Sequence, residues 1–212
     1  AQVVSRFLRD QGIVAEKTGF YSFLFLFSIG TSHGKSGTLL AKFLEFTRLY
    51  NKNVPLSEIF PALADVYAKK EYKNGRTIRT IQDLCEQMHE FLRDPLNFNE
   101  DNPGPEKRNF IEITDSVFEE LPKQAVVPRE AYSKKINGEA ELLDLDQIAK
   151  GERIPSVMVL PYPPGIPVIM PGEIFDKNVV DYLKMNEKLD SLFPGFETEM
   201  HGVEIDDGKY HV

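Results

Sequence analysis

The sequence runs to 212 residues and is 42% hydrophobic, enough to bury one or two ordinary cores. A formal net charge of -8 and a pI near 5.1 leave little basic surface, which argues against a reader of phosphate backbones, so no nucleic-acid partner is expected. The single cysteine, Cys85, cannot close an internal disulfide, and its place beside Leu84 and near Met88 predicts a core thiol in a reducing, cytoplasmic setting.

Val3, Val4, Phe7 and Leu8 recur at helical spacing, and Gly12 stops that helix. The chain opens on Ala1 without an initiator methionine, which reads as a truncated start. Residues 13–16 read as a strand, Lys17-Thr18-Gly19 as a turn, and residues 20–29 as a fully buried apolar strand. That run is too short to cross a bilayer, which takes about 20 apolar residues, and too far from a basic leader to be a signal peptide. No membrane partner is expected.

Leu39, Leu40, Phe43, Leu44 and Phe46 predict a helix over 36–50 with one face on that sheet. A second helix is predicted over 56–68 and a third over 77–92, the latter with Ile78, Ile81, Leu84, Met88 and Phe91 as its apolar stripe. Ahead of the first of these, Gly30-Thr31-Ser32-His33-Gly34-Lys35-Ser36 has the strand-loop-helix setting of a phosphate-binding loop. Such a loop needs four residues between its glycines for successive N–H groups to curl around a phosphate, and here three intervene. The segment therefore reads as a strand-to-helix turn.

Residues 97–109 are dense in turn formers and charge and predict an exposed loop. After a short helix over 115–121, Pro122 and Pro128 bracket a boundary that divides the chain into 1–126 and 127–212. Pro128 suits the first position of a helix through Lys135, where its missing N–H costs nothing. The prolines between Pro161 and Pro171 predict a stiff extended segment outside any central strand. Asp176 caps a predicted helix through Leu192, with Val179, Tyr182, Leu183, Met185 and Leu189 inward.

Two polar clusters stand out. Glu197, Glu199 and His201 share one face at strand spacing, but three donors without a fourth read as a hydrogen-bonded surface strand, so no metal is expected. Asp83, Glu86 and Glu90 oppose Arg76 and Arg79 on the third helix and read first as a solvated, charge-paired face.

Two stretches carry a resemblance: Pro161-Tyr162-Pro163-Pro164-Gly165-Ile166-Pro167 running into Pro171-Gly172-Glu173, and Pro194-Gly195-Phe196-Glu197-Thr198-Glu199-Met200-His201-Gly202. With Glu16-Lys17-Thr18-Gly19 and Val127-Pro128-Arg129-Glu130-Ala131-Tyr132, they make nearly the whole chain resemble the C-terminal part of the bacterial ornithine/lysine/arginine decarboxylases. The resemblance implies an α+β chain: residues 1–126 as the small lobe of an aspartate-aminotransferase-like pyridoxal-phosphate enzyme, followed by an α+β C-terminal domain over 127–212.

It also implies that pyridoxal phosphate sits on a lysine directly following a histidine. No lysine here does, since Gly34 separates His33 from Lys35. The cofactor is thus expected on an upstream part of a longer parent, no catalytic residue is expected in this chain, and the chain alone is expected to be inactive. Asp83 is the carboxylate expected to pair with the distal ammonium or guanidinium of a basic amino acid. The ending Asp207-Gly208-Lys209-Tyr210-His211-Val212 and the Gly34-Lys35 turn lean to the arginine branch, with agmatine and carbon dioxide as products, while Thr18-Gly19 and Met200-His201-Gly202 occur also on the lysine side. The implied setting is a homo-oligomeric enzyme serving acid resistance and polyamine formation. The rival reading is a non-catalytic interaction or regulatory module.

Overall fold

A computed structural model describes residues 1–19, 21–72, 75–162 and 165–212. The protein is α+β, and among these residues its strands form three separate two-stranded antiparallel ribbons. It divides into two compact units: residues 1–90 with 194–196, and residues 91–193 with 197–212.

The first unit opens with α1 (Gln2–Asp10), whose Val3, Phe7 and Leu8 are buried. Gly12 ends it as expected, with Gly12 N–H donating to Arg9 O and Ile13 N–H to Leu8 O. Residues 13–16 form no strand. Pairing is instead limited to β1 (Lys17–Thr18) against β2 (Phe23–Leu24), closed by a turn in which Gly19 N–H donates to Ser22 O at 2.7 Å.

The expected long, buried strand over 20–29 is thus a correction, Phe20 itself lying outside the described residues. Phe23 and Phe25 do face inward, with ring centroids 5.5 and 6.0 Å from Phe43, but Leu24, Leu26, Phe27 and Ile29 are exposed. The physical reason is a missing neighbour: among the described residues β2 has β1 alone to pair with, and a half-covered ribbon buries one side chain in two.

Helix α2 (His33–Asn51) begins three residues before the expected start, where Ser32 Oγ accepts from Lys35 N–H. The single helix expected over 56–68 is two, α3 (Leu56–Ile59) and α4 (Pro61–Ala68). Pro61 forces the break, because its ring drives Phe60 out of helical geometry to φ -133°, ψ 68°. Tyr67 on α4 is fully buried, and its hydroxyl donates to Pro194 O at 3.0 Å. Helix α5 (Ile81–Arg93) starts later than 77 because Thr80 and Asp83 cap it.

In the second unit Phe91, Phe98 and Phe193 pack ring to ring, centroids 5.6 to 6.3 Å apart. The 97–109 segment is a loop as expected, tied down by Asn97, whose Oδ1 accepts from Gly104 N–H at 2.6 Å. Helix α6 (Phe110–Glu119) carries a capping box between Asn109 and Glu112. Pro128 opens α7 (Pro128–Ile136), and a second capping box between Asp144 and Gln147 opens the short α8 (Leu145–Ile148). Helix α9 (Lys177–Leu192) is capped by Asp176, which accepts from Val179 N–H, and the five predicted inward residues are all buried. Each such side chain contributes on the order of 1.5 to 3 kcal/mol when fully buried.

The strands of this unit are β3 (Leu160–Tyr162) against β4 (Glu199–His201), and β5 (Glu204–Asp206) against β6 (Lys209–His211). Pro161 sits inside β3 opposite Met200, which a two-stranded ribbon permits because both strands are edges. Pro163 and Pro164 lie outside the described residues. Beyond β4 the chain turns through Gly202 at φ 83°, where an added Cβ would lie 2.1 Å from Met158 O. Gly138 has a similar φ of 73° but open space around it. Gly202→Ala is therefore expected to cost on the order of 3 kcal/mol and Gly138→Ala about 1 kcal/mol, read as a difference in denaturant midpoint at unchanged m-value.

Candidate functional site

The densest polar chemistry of the described residues lies around α9 in the second unit. Near its C-terminus Asp190 gathers two donors: Thr198 N–H at 3.1 Å to Oδ1, and the hydroxyl of the fully buried Tyr210 to Oδ2. One turn earlier, Glu187 Oε2 accepts from Tyr210 N–H at 2.6 Å. One helix face thus holds both the backbone and the side chain of β6, together with the residue that leads into β4.

Burial pushes the Asp190 carboxyl up to about 6 from an ordinary 3.8, aided by the nearby Glu197 charge and opposed by its two hydrogen bonds. Burial likewise pushes the Tyr210 phenol up, with the Asp190 and Glu187 charges adding to it. The paired hydroxyl is therefore a donor at every physiological pH.

Between Glu100, Asp146, Asp181, Lys184, Lys188 and Lys209 lies an open cleft of about 680 Å³. Its charges are largely consumed by one another. Lys184 Nζ is 2.6 Å from Asp146, Lys188 Nζ is 2.5 Å from Glu100 and also donates to Leu96 O, and Lys177 Nζ is 2.7 Å from Asp181. Arg108 completes the set, with Nη1 3.1 Å from Asp181 Oδ2 and Nη2 donating to Ser116 Oγ at 2.6 Å. The exposed pairs among these contribute roughly 0 to 1 kcal/mol each, whereas Arg108–Asp181 is mostly buried, its side chains 16% and 14% exposed.

The residues singled out in the sequence are not brought together. Asp83 stands at the head of α5, where Oδ2 accepts from Arg79 N–H at 3.0 Å and Thr80 N–H at 2.8 Å while Thr80 Oγ1 accepts from Asp83 N–H. The Asp83 carboxylate therefore caps a helix, and Arg76, which precedes that helix, pairs with Glu90 on it at 2.7 Å. In the Gly30–Ser36 turn, Lys35 Nζ reaches back to Gly30 O at 3.4 Å. A lysine that reaches back to its own loop, where Ser32 already meets the Lys35 N–H, does not fit a cofactor imine or a phosphate.

Glu199 and His201 share a face of β4 as predicted, with Nε2 3.1 Å from Oε1, both exposed and with Glu197 outside the strand. Among the described residues no group of three or more His, Cys, Asp or Glu is placed to hold a metal ion. Cys85 is half-buried, and burial pushes its thiol up to about 11, which keeps it protonated and unreactive.

The Asp190–Tyr210 contact was missed by sequence reading. The available signal was the Asp207-Gly208 pair, whose positive φ values of 47° and 74° make the tight turn between β5 and β6. That turn places Tyr210 on a hairpin and returns it to α9.

Comparison with known proteins assigns the chain. A model of the family described as "Orn/Lys/Arg decarboxylase, C-terminal domain" matches residues 111–212. The lysine decarboxylase LdcA of Pseudomonas aeruginosa is 39% identical over 211 residues, covering 98% of this chain and 25% of that protein. The chain belongs to the Orn/Lys/Arg decarboxylase family. The biodegradative arginine decarboxylase of Escherichia coli K12 is 37% identical over 215 residues, covering 100% of the chain and 26% of that relative. Among solved structures, the lysine decarboxylase LdcF of Francisella novicida superimposes with a TM-score of 0.79 at 34% identity, over 100% of this chain and 27% of that one. The chain thus spans about a quarter of the length of the relatives it matches. Identities of 39% and 37% do not separate a lysine branch from an arginine branch. Among the described residues no helix is long and apolar enough to cross a membrane.

A carboxyl whose folded pKa is raised favours the folded state more as pH falls through that pKa, and the gain is complete below the unfolded value. For Asp190 the window is pH 6 down to about 4. The protein is expected to gain on the order of 1 to 2 kcal/mol over that range relative to Asp190→Asn, after allowance for partial solvent screening. Urea midpoints of both proteins at pH 7, 6, 5 and 4 check it: a constant difference between them rejects the titration.

Proposed function

We propose that this chain is the C-terminal part of a pyridoxal-phosphate-dependent decarboxylase of a basic amino acid. The observation that carries the reading is the match of essentially the whole chain, at 31 to 39% identity, to relatives named as lysine, arginine and ornithine decarboxylases. Pyridoxal phosphate supplies the electron sink that makes loss of carbon dioxide feasible. No lysine here directly follows a histidine and Lys35 reaches back to its own loop, so the reading assigns the group to the upstream part of the parent. In this reading residues 1–126 are the small lobe of an aspartate-aminotransferase-like core, residues 127–212 are the C-terminal domain, and the parent works as a cytoplasmic homo-oligomer. Decarboxylation takes up a proton, which suits a role in acid resistance.

The chain's own contribution is structural: it shapes a wall and holds it rigid. Substrate contact by Asp83 is part of the proposal and competes with the capping role of the same carboxylate. Arginine is the substrate toward which the 207–212 ending leans, and lysine is the one named for the relative at 39% identity.

The test is direct. The parent, expressed whole, is expected to bind pyridoxal phosphate with an absorbance band near about 420 nm and to release carbon dioxide from a basic amino acid, while the 212-residue chain does neither. Agmatine as product assigns arginine, and a diamine assigns lysine or ornithine. A parent that binds the cofactor and turns over none of the three sinks the reading.

Asp83→Asn separates capping from recognition. If the carboxylate only caps, the parent loses about 0.5 to 1 kcal/mol of stability with KM unchanged. If it meets the substrate cation, KM rises at least about tenfold.

A further inference from the structure

Residues 203–212 are fastened to the second unit at few points. Tyr210 is the one buried side chain among them, 1% exposed, whereas Ile205 is 64% exposed. The β5–β6 ribbon pairs within itself, and the turn at Gly202, φ 83°, sets it off from β4, which has its own ladder to β3. Three hydrogen-bonded links fasten the ribbon to other elements. Val212 exchanges backbone bonds with Leu143 at 2.9 and 3.1 Å, Tyr210 N–H donates to Glu187, and the Tyr210 hydroxyl donates to Asp190. A ribbon that keeps its internal bonds can swing out as a body, so the free energy of opening it is concentrated on its one buried anchor.

Asp190 receives that anchor without a counter-charge. The carboxyl is half-buried, and its two donors, Thr198 N–H at 3.1 Å and the Tyr210 hydroxyl, are both neutral. The charges nearest the pair are of like sign: Glu197 ahead of β4, and Glu187 one turn earlier on α9. Tyr182 on α9 lies near the same phenol, and Lys209 and His211 flank Tyr210 on β6 without pairing to Asp190. Of the charges brought by neighbouring elements, Asp146 of α8 is engaged with Lys184, and Arg108, ahead of α6, with Asp181.

A carboxylate withdrawn from water with no cation to answer it favours an open form in which water solvates it, and a proton removes that drive. The two hydrogen bonds to the charged form work the other way. Burial outweighs them and pushes the carboxyl up to about 6, against about 3.9 for a solvated aspartate. Opening therefore becomes easier as pH rises through the interval between those values and harder as it falls.

We propose that Asp190 and Tyr210 form a proton-operated latch: protonation of Asp190 holds the β5–β6 ribbon on α9, and ionisation lets the ribbon open locally while the helices of the unit stay folded. The latch is built from the second unit alone and is independent of the decarboxylase reading.

Hydrogen exchange of the whole parent tests it, followed by peptide mass spectrometry at pH 5 and pH 7 and expressed as protection relative to the intrinsic rate at each pH. Protection over 203–212 is expected to fall at least about threefold from pH 5 to pH 7 while that of the α9 amides is unchanged. In Asp190→Asn, which carries no charge at either pH, protection over 203–212 is expected to be the same at both. Constant protection in the unsubstituted parent overturns the proposal. A fall shared by α9 also overturns it, since the opening is then not local, and so does a fall that persists in Asp190→Asn, which assigns the titration to another group. Should the variant fail to fold, the contrast between 203–212 and α9 in the unsubstituted parent still decides.

Discussion

The inward face of α9 is the constraint on which the second unit depends. Val179, Leu183, Met185 and Leu189 are fully buried, and α6, α8 and β6 all pack against this one helix. A helix surrounded in this way cannot shift by a residue without turning its apolar stripe toward water, at about 1.5 to 3 kcal/mol per side chain. Its register is fixed at the start by Asp176 and its end by Phe193, which is fully buried among Phe91 and Phe98. With the register fixed, the polar residues interleaved with that stripe arrive at set positions.

Asp181, Lys184, Glu187, Lys188 and Asp190 are those residues, and each is answered by a partner from another element of the same unit. The exposed pairs add little free energy. Asp190 differs because it is mostly withdrawn from water, so its bond to Tyr210 carries a desolvation cost that the two donors only partly offset. The expected consequence is a fold that gains stability on mild acidification, because the buried charge is removed, even though each hydrogen bond to the neutral carboxyl is weaker. Most carboxylates in hydrogen-bonded or paired settings weaken under the same change.

How much of this was legible in the sequence follows from what fixes each element. Helices α2, α7 and α9 declare themselves through local rules, a side-chain cap, a proline at the first position or an apolar stripe at 3.6-residue period, whereas α6, expected over 115–121, starts at Phe110 because of an unread capping box between Asn109 and Glu112. Asp176 and Pro128 were readable for that reason. The break between α3 and α4 was equally local, since Phe60 precedes Pro61, and the periodicity simply masked it. The 20–29 strand failed differently. Its apolar composition was read correctly, but burial of a strand is a property of its neighbours, and β1 is the one neighbour this chain provides among the described residues. Asp83 was read by its charge, whereas its geometry is that of a cap, a role that Asp at N3 facing a threonine N-cap could have announced.

The same distinction explains why the resemblance was easy to see and the substrate was not. Pro171-Gly172-Glu173 and Met200-His201-Gly202 place glycine where an added Cβ would lie 2.2 Å from Val126 O and 2.1 Å from Met158 O. Any chain that builds this fold meets those two steric demands. Motifs set by close backbone approach therefore report architecture, and relatives that differ in named substrate share the fold at nearly equal identity to this chain. Discrimination between an ammonium and a guanidinium needs a carboxylate held at the depth and angle of the substrate's far end. Asp83 on α5 is engaged as a cap, Glu90 with Arg76, and Asp181, Glu187 and Asp190 on α9 with Arg108 and Lys177, the Tyr210 N–H and the Tyr210 hydroxyl.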